Sequence, residues 1–132
     1  MFWERHKSIF ATLANMQIIS HQKNGVQIAE VLSDSVLIKS PEDGAQLLND
    51  LYYQGFDGII IKADQLSPDF FELKTGLAGE VLQKFSNRRV RLAIIGDFND
   101  IESKSLRDFV FESNKGNLIK FTPSVDEALS GF

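Results

Sequence analysis

The segment TGLAG at residues 75–79 is the first place where this sequence could do chemistry. A glycine inside a helix costs about 1 kcal/mol relative to alanine, so one interpretation is that a helix starts near Thr75 after a short turn at residues 68–73. Thr75 would then be an exposed N-cap hydroxyl at a helix N-terminus, which attracts phosphate through its free N–H groups. The alternative is that Gly76 and Gly79 permit close packing of the helix on the sheet while Thr75 only caps it.

The Gly96-Asp97 pair at the end of a predicted strand is the second candidate, as a catalytic or metal-binding carboxylate. The alternative is a turn in which Asp97 accepts hydrogen bonds from nearby amides. We identify no second carboxylate at a spacing usable for catalysis, and His6 and His21 are far apart in the chain. Nucleophile elbows, P-loops and the G-x-G-x-x-G fingerprint are absent. The sequence therefore predicts no catalytic residue, no metal ligand and no cofactor.

A polar site for a small molecule, or a hydrolase site, is a second hypothesis. Ligands of open α/β sheets bind outside the carboxyl ends of the parallel strands, and polar residues follow two such predicted ends. If the two ends are adjacent, the residues that converge are Lys74, Thr75, Glu80, Asp97, Ser105, Arg107 and Asn114. Such a site would take a phosphate or another small polar ligand.

Length, charge and composition restrict the classes of function. The 132 residues fit one domain, which we place at residues 16–132. The chain has no cysteine and a net charge of −4, so thiol chemistry is excluded and nucleic acid or an anionic membrane is a poor partner. No apolar run reaches the roughly 18 residues of a membrane span. We expect a cytoplasmic protein, and we interpret the basic residues Lys84, Arg88, Arg89 and Arg91 as a solvated surface.

The order of strands and helices predicts an α/β fold with a mixed, mostly parallel sheet of about five strands. The first two strands are joined at Asn24-Gly25, a dipeptide typical of a hairpin turn. Continuous apolar runs such as Gly58–Ile61 and Leu92–Ile95 are typical of strands buried on both faces. The predicted strands cover residues 17–22, 26–32, 57–63, 90–98 and 117–121. Alternation of strands and helices then implies right-handed crossovers.

Four main helices are predicted from the residues at their ends. A Ser or Thr before Pro supplies an N-cap and a first-turn proline, which places helix starts at Pro41, Pro68 and Pro123. The four helices cover residues 41–54, 68–85, 101–113 and 123–130. The inward residues of the first are Ala45, Leu48, Leu51 and Tyr52, and those of the third are Leu106, Phe109 and Val110.

Residues 1–15 form a separate N-terminal arm in this interpretation. Its apolar residues recur at roughly helical spacing, which predicts a short amphipathic helix. The arm would pack on the domain, form a homodimer interface through Phe2, Trp3 and Phe10, or be a dispensable extension.

The order of elements resembles the STAS domain, the module of sulfate-transporter tails and of anti-sigma factor antagonists. In that family the third strand leads into an Asp-Ser-Ser-Gly-Leu turn, whose second serine is the phosphorylation site. The run LKTGL at residues 73–77 falls at the same place, so the resemblance implies that Thr75 is the phosphoacceptor. Leu73 and Lys74 stand where the family has the Asp and the first Ser, which changes what a kinase would recognise.

This resemblance covers roughly residues 17–131. The runs of the C-terminal third that carry it are LRDF at 106–109, NKGNLI at 114–119 and VDEAL at 125–129. A closer resemblance is to a small bacterial family of STAS-like type that is catalogued as a domain of unknown function. Its runs here are FFELKTGLAGE at 70–80, QKFSN at 83–87, GDF at 96–98, SKSLRDF at 103–109 and ESNKG at 112–116. The resemblance implies a fold and a bacterial origin.

The leading expectation is a regulatory or protein-interaction module without enzymatic activity. Another protein would contact the helix start at Thr75 through Lys74, Gly76, Gly79 and Glu80. Phosphorylation of Thr75 would add about −1.5 to −2 charge there and displace a docked partner. The small-molecule site and the homodimer remain the alternatives.

Overall fold

A computed structural model describes residues 16–132 of the chain. This part forms a five-stranded sheet in the order β1-β2-β3-β4-β5, antiparallel between the first two strands and parallel elsewhere. The strands are β1 Gln17–Lys23, β2 Val26–Leu32, β3 Gly58–Lys62, β4 Arg91–Ile95 and β5 Ile119–Thr122. The predicted α/β fold class is therefore confirmed. The predicted arm at residues 1–15 and its role in a dimer lie outside the described residues.

The hairpin between β1 and β2 has the turn that its sequence predicts. Asn24 and Gly25 adopt φ values of 53° and 81°, so both turn residues lie in the left-handed region. Such a turn matches the right-handed twist of the paired strands. The register pairs Lys23 with Val26 and Gln17 with Leu32, which gives the sheet its antiparallel edge.

Five helices lie in residues 16–132. They are α1 Pro41–Tyr52, α2 Pro68–Phe71, α3 Leu77–Arg88, α4 Lys104–Lys115 and α5 Val125–Ser130, with 3₁₀ turns at Ala63–Gln65 and Leu73–Thr75. No helix in this part of the chain is long and apolar enough to cross a membrane.

Two of the three helix starts predicted from Ser-Pro or Thr-Pro are confirmed. The Ser40 and Ser67 hydroxyls accept hydrogen bonds from Asp43 N and Asp69 N, and a proline follows each cap. The third prediction is wrong, because Ser124 caps α5 and Pro123 stays outside the helix. A serine one position beyond the proline competes as a cap, and its oxygen reaches the N3 amide.

The start predicted for the third helix, at residue 101, is also wrong. Ser103 is its N-cap and accepts from Leu106 N at 3.2 Å, so the helix begins at Lys104. The predicted inward face is confirmed in that Val110 is buried and Leu106 and Phe109 pack against the core.

The two faces of the sheet are covered unequally. Ile59 and Ile61 of β3 belong to a large apolar cluster that includes residues of α1, α3 and α4. Ile60 points the other way and belongs to a smaller cluster with Ala128 of α5 and Phe132. Side chains alternate between faces along a strand. The helices α1 to α4 therefore lie on one face, where Phe70 of α2 also joins the large cluster, and α5 lies on the other.

Phe132 fills a slot on the second face. A Cβ built at Gly58 would overlap the Phe132 ring, so glycine at this position leaves the space that the ring occupies. The Asn24 side chain, at the tip of the hairpin, donates to the Phe132 carbonyl oxygen at 3.2 Å. The last residue is thereby held to both β3 and the β1–β2 turn.

Close packing of α1 on α3 depends on a glycine that the sequence interpretation passed over. A Cβ at Gly44 would lie 3.1 Å from a Val81 methyl group, so the two helices approach at this point. Gly44 and Leu47 are buried, while Ala45, predicted to face inward, is only half-buried. The helix is rotated slightly from the predicted orientation because the smallest side chain takes the tightest contact.

Gln65 is a buried polar side chain at the carboxyl ends of β2 and β3, with 1% of its surface exposed. Its Oε1 accepts from Lys62 N at 2.8 Å, and its Nε2 donates to Val31 O and Ser33 O at 3.1 Å each. Its backbone carbonyl accepts from Leu37 N at 2.7 Å. One residue therefore satisfies backbone groups of three chain segments in the interior, where unsatisfied groups are costly.

We predict that Gln65→Leu lowers the free energy of unfolding by about 3 kcal/mol, because each buried backbone group left without a partner costs roughly 1–3 kcal/mol. The melting temperature should fall on the order of 10 °C. Urea and thermal unfolding followed by circular dichroism measure both. Gln46→Leu, on the exposed face of α1, is the matched control and should change stability by less than about 0.5 kcal/mol. Equal effects of the two substitutions would contradict the bridging role of Gln65.

Candidate functional site

The single helix predicted over residues 68–85 is wrong, because α2 ends at Phe71 and a separate helix follows. This new helix starts in the segment at residues 75–79, as the first interpretation predicted. The 3₁₀ turn Leu73–Thr75 ends at Gly76, which has a φ of 82°, and α3 begins at Leu77. The N-cap is therefore Gly76 and not Thr75. The left-handed conformation at this junction favours glycine, since a side chain there is strained.

The Thr75 hydroxyl joins the end of α2 to the start of α3. Its Oγ1 lies 2.8 Å from Asp69 O and 2.9 Å from Glu72 O, and it accepts from Leu77 N at 3.2 Å. A hydroxyl carries one proton, so the two carbonyl oxygens share a single donor. Thr75 is an exposed residue, and its hydroxyl is hydrogen-bonded to the local backbone.

Gly79 lies inside α3 with nothing within 4 Å of the position that a Cβ would take. The interpretation that Gly79 permits close packing of the helix on the sheet is therefore wrong. Gly76 is explained by its positive φ, whereas Gly79 is explained neither by backbone conformation nor by packing within the described residues. The neighbouring Glu80 is exposed in the first turn of the helix.

Gly79 opens onto a groove between α1 and α3, which we call the α1–α3 groove. Its upper part has a volume of about 500 Å³, and its lower part adds about 190 Å³. The upper part is lined by Pro41, Glu42, Gly79, Glu80, Gln83, Lys84 and Asn87, and the lower part by Ala45, Leu48, Asn49, Lys84, Asn87 and Arg88. The two carboxylates, Glu42 and Glu80, therefore line the upper part, Arg88 lines the lower part, and Lys84 lines both.

Two tyrosines contact Arg88 in the lower part of the groove. The Arg88 guanidinium lies 4.8 Å from the centre of the Tyr52 ring and 5.4 Å from that of Tyr53. The hydrogen bond to the Tyr53 hydroxyl is the main cause that raises the pKa of Arg88 above its ordinary value. Tyr53 is 73% exposed. The sequence interpretation treated Arg88 only as solvated charge, because the Tyr–Arg contact spans two helices and leaves no local signal.

The predicted polar residues beyond α3 support the local backbone. Asp97 accepts from Asn99 N at 3.1 Å, which is the turn given as the alternative reading. Arg107 donates to Ile101 O and Glu102 O at 2.9 Å each. The Asn114 side chain accepts from Phe121 N at 2.7 Å and donates to Phe121 O at 3.1 Å. Ser105 is exposed on α4.

The structure divides the predicted site residues between two surfaces. Gly79 and Glu80 line the α1–α3 groove, beside the turn that carries Lys74 and Thr75. Asp97 and Asn114 line a second cavity, at the ends of β4 and β5. Within residues 16–132, no three His, Asp or Glu side chains come together as a metal-binding group.

A family model described as Domain of unknown function (DUF4180) matches residues 23–131. The chain belongs to this family. No curated protein and no solved structure matches it. The predicted membership of a family of unknown function is thus confirmed, and the resemblance to STAS domains stays a prediction.

We predict that Thr75→Val lowers the free energy of unfolding by about 1 kcal/mol, because valine keeps the shape of threonine but removes the hydroxyl that joins α2 to α3. Thr75→Ser retains the hydroxyl and should stay within about 0.5 kcal/mol of the wild type. Urea unfolding measures the difference. Comparable losses for both substitutions would show that the hydroxyl has no such role.

The two glycines at the start of α3 should respond to alanine with opposite signs. Gly79→Ala should raise stability by up to about 1 kcal/mol, because the helix gains a better helix former in open space. Gly76→Ala should lower it by about 1–2 kcal/mol, because alanine is strained at a positive φ. Melting temperatures of the two variants, measured side by side, test this. A loss of stability in Gly79→Ala would mean that the glycine has a packing role after all.

Proposed function

We propose that this chain is a STAS-like regulatory module of the bacterial cytoplasm, without enzymatic activity, that acts by binding another protein. Its contact surface is the Thr75 turn, residues 73–76, together with the α1–α3 groove. The polar atoms of Asp97, Arg107 and Asn114 are engaged with nearby backbone groups, and this supports a scaffold more than a catalytic site.

Gly79 is the observation that carries the proposal. A glycine in a helix costs about 1 kcal/mol relative to alanine, and nothing in the described fold approaches its Cβ position. A partner that packs directly on the backbone of α3 in the groove accounts for this glycine. Gly79 lines the upper part of the groove together with Pro41 and Gln83, and it places no side chain there.

The Thr75 hydroxyl provides the means of regulation. Phosphorylation removes the proton that Asp69 O and Glu72 O share and places about −1.5 to −2 charge beside these two oxygens. The hydrogen bonds that hold α2 to α3 are then replaced by repulsion. Lys74 and the first amides of α3 attract the new phosphate, so the turn changes shape at the upper end of the groove.

Photo-crosslinking from single positions tests the surface. With benzoylphenylalanine at position 83, in the groove, we predict one dominant adduct when the protein is incubated with a lysate of its native host. The same probe at position 112, exposed on α4, is the matched control and should not give that adduct. No adduct from position 83, or the same adduct from both positions, would contradict the assignment of the surface.

The regulatory role is tested with the position-83 probe in three Thr75 variants. Thr75→Glu should lower the adduct yield at least fivefold, because it introduces charge and removes the hydroxyl, while Thr75→Ser should keep the wild-type yield. Thr75→Ala separates loss of the hydroxyl from gain of charge. If Thr75→Glu and Thr75→Ala both leave the yield unchanged, the Thr75 turn is not part of the contact.

A further inference from the structure

The chain leaves two neighbouring strands toward opposite faces of the sheet. After β4 it passes to α4, whose Val110 lies in the large apolar cluster, and after β5 it passes to α5, whose Ala128 lies in the smaller one. Where neighbouring strands of an open α/β sheet send their connections to opposite faces, a crevice forms outside their carboxyl ends. In this sheet that point lies between β4 and β5.

A cavity of about 380 Å³ lies at this point, and we call it the β4–β5 crevice. Its lining comes from the segments that follow the two strands and from the end of α4. The lining residues are Gly96, Asp97, Phe98, Asn99, Asn114, Phe121 and Pro123. Its volume is at the small end of the range for ligand pockets.

The apolar wall of the crevice is held in place by its own packing. The Phe98 ring folds over Gly96, where a Cβ would lie 3.0 Å from the ring edge. Phe98 meets Phe121 edge to face, with ring centres 5.1 Å apart. Both backbone groups of Phe121 are bound by the Asn114 side chain. The aromatic surface is therefore present before any ligand arrives.

Among the described residues that line the crevice, Asp97 carries the one formal charge. One of its oxygens accepts from Asn99 N, and a carboxylate has about four acceptor positions in all. Capacity therefore remains for the N–H groups of a ligand. An anion would meet a negative charge here, whereas an ammonium group would meet the carboxylate beside aromatic rings, which also attract cations.

We propose that the β4–β5 crevice binds small molecules that combine a protonated amine with an aromatic or other apolar group. The amine contacts Asp97, and the apolar group lies against Phe98 and Phe121. This ligand class has the opposite charge to the phosphate expected from the sequence. The crevice is separate from the α1–α3 groove, so the small-molecule proposal can be tested independently of the proposed protein partner.

Phenethylamine and phenylacetate form a matched pair of probes, with the same ring and opposite charge. Amide chemical shifts of the ¹⁵N-labelled full chain are followed by NMR during titration with each probe, and with inorganic phosphate as a third. We expect phenethylamine to shift the amides of residues 96–99 and 121, with phenylacetate at least tenfold weaker and phosphate without effect on these amides. Preference for phenylacetate or phosphate, or shifts confined to other residues, would overturn the proposal.

The role of the carboxylate is tested in the same titration. Asp97→Asn should weaken phenethylamine binding at least tenfold and remove the preference over phenylacetate. Asp100→Asn removes an exposed carboxylate from the same loop that does not line the crevice, and it should leave both affinities within twofold. Equal losses of phenethylamine affinity in the two variants would show a general effect of charge and would contradict the assignment of Asp97. An absence of saturable shifts with phenethylamine in the wild type would contradict the proposal as a whole.

Discussion

The geometry of the α1–α3 groove depends on the hydrogen bonds of the buried Gln65 side chain. Its hydrogen bonds join the end of β2, the end of β3 and the segment that leads to α1. Ser67 N donates to Ile38 O two residues further on, so the segments before α1 and α2 run side by side. Ser40 and Ser67 can then cap their helices at fixed positions. The hydrogen bonds of Gln65 thus place the starts of α1 and α2 relative to each other.

The carboxyl edge of the sheet carries two chemically different surfaces. At the β3 end the chain makes two short turns before α3, which leaves an exposed hydroxyl and an open glycine above a groove with charges of both signs. At the β4 and β5 ends it diverges around a crevice with aromatic walls and one carboxylate. The first surface is long and shallow, which suits a polypeptide, while the second is small, which suits a compact ligand. The two binding proposals therefore concern separate surfaces of one domain, a protein at the first and a small molecule at the second.

The sequence predicts features that arise from local chemistry. Asn24-Gly25 specifies its turn through two positive φ angles, and the apolar runs around Ile60 and Ala93 specify buried strands. The features it misses are long-range. Gln65 looks like any polar residue after a strand until the carbonyls of Val31 and Ser33 are placed beside it. Gly44 and Gly79 both lie within predicted helices, and the sequence does not distinguish them. Only the position of Val81 in the fold shows that Gly44 is the one needed for packing.

For the candidate site, too, the sequence predicts the local features and misses the long-range ones. The helix start at residues 75–77 follows from the energetic penalty of glycine, which is a local quantity. Convergence of Asp97 with Thr75 required knowledge of which strand ends are neighbours and of the side to which each connection turns. The Thr122-Pro123 pair predicts a helix after β5 but does not indicate that this helix lies on the opposite face. That crossing creates the crevice, and it is decided by which face is left uncovered when α1, α3 and α4 have packed.

The hydrogen bond between Asn24 and Phe132 joins residues that are 108 positions apart, and this has a consequence for folding order. The large cluster is assembled from successive strand–helix–strand units, each closing a short loop. The contact on the second face forms only when Phe132 meets the hairpin at Asn24. The entropic cost of closing a loop rises with its length. We therefore expect α5 and Phe132 to join the native structure after the large cluster has formed. We expect the same part to detach first under stress, which would expose Ile28 and Ile60 of the smaller cluster.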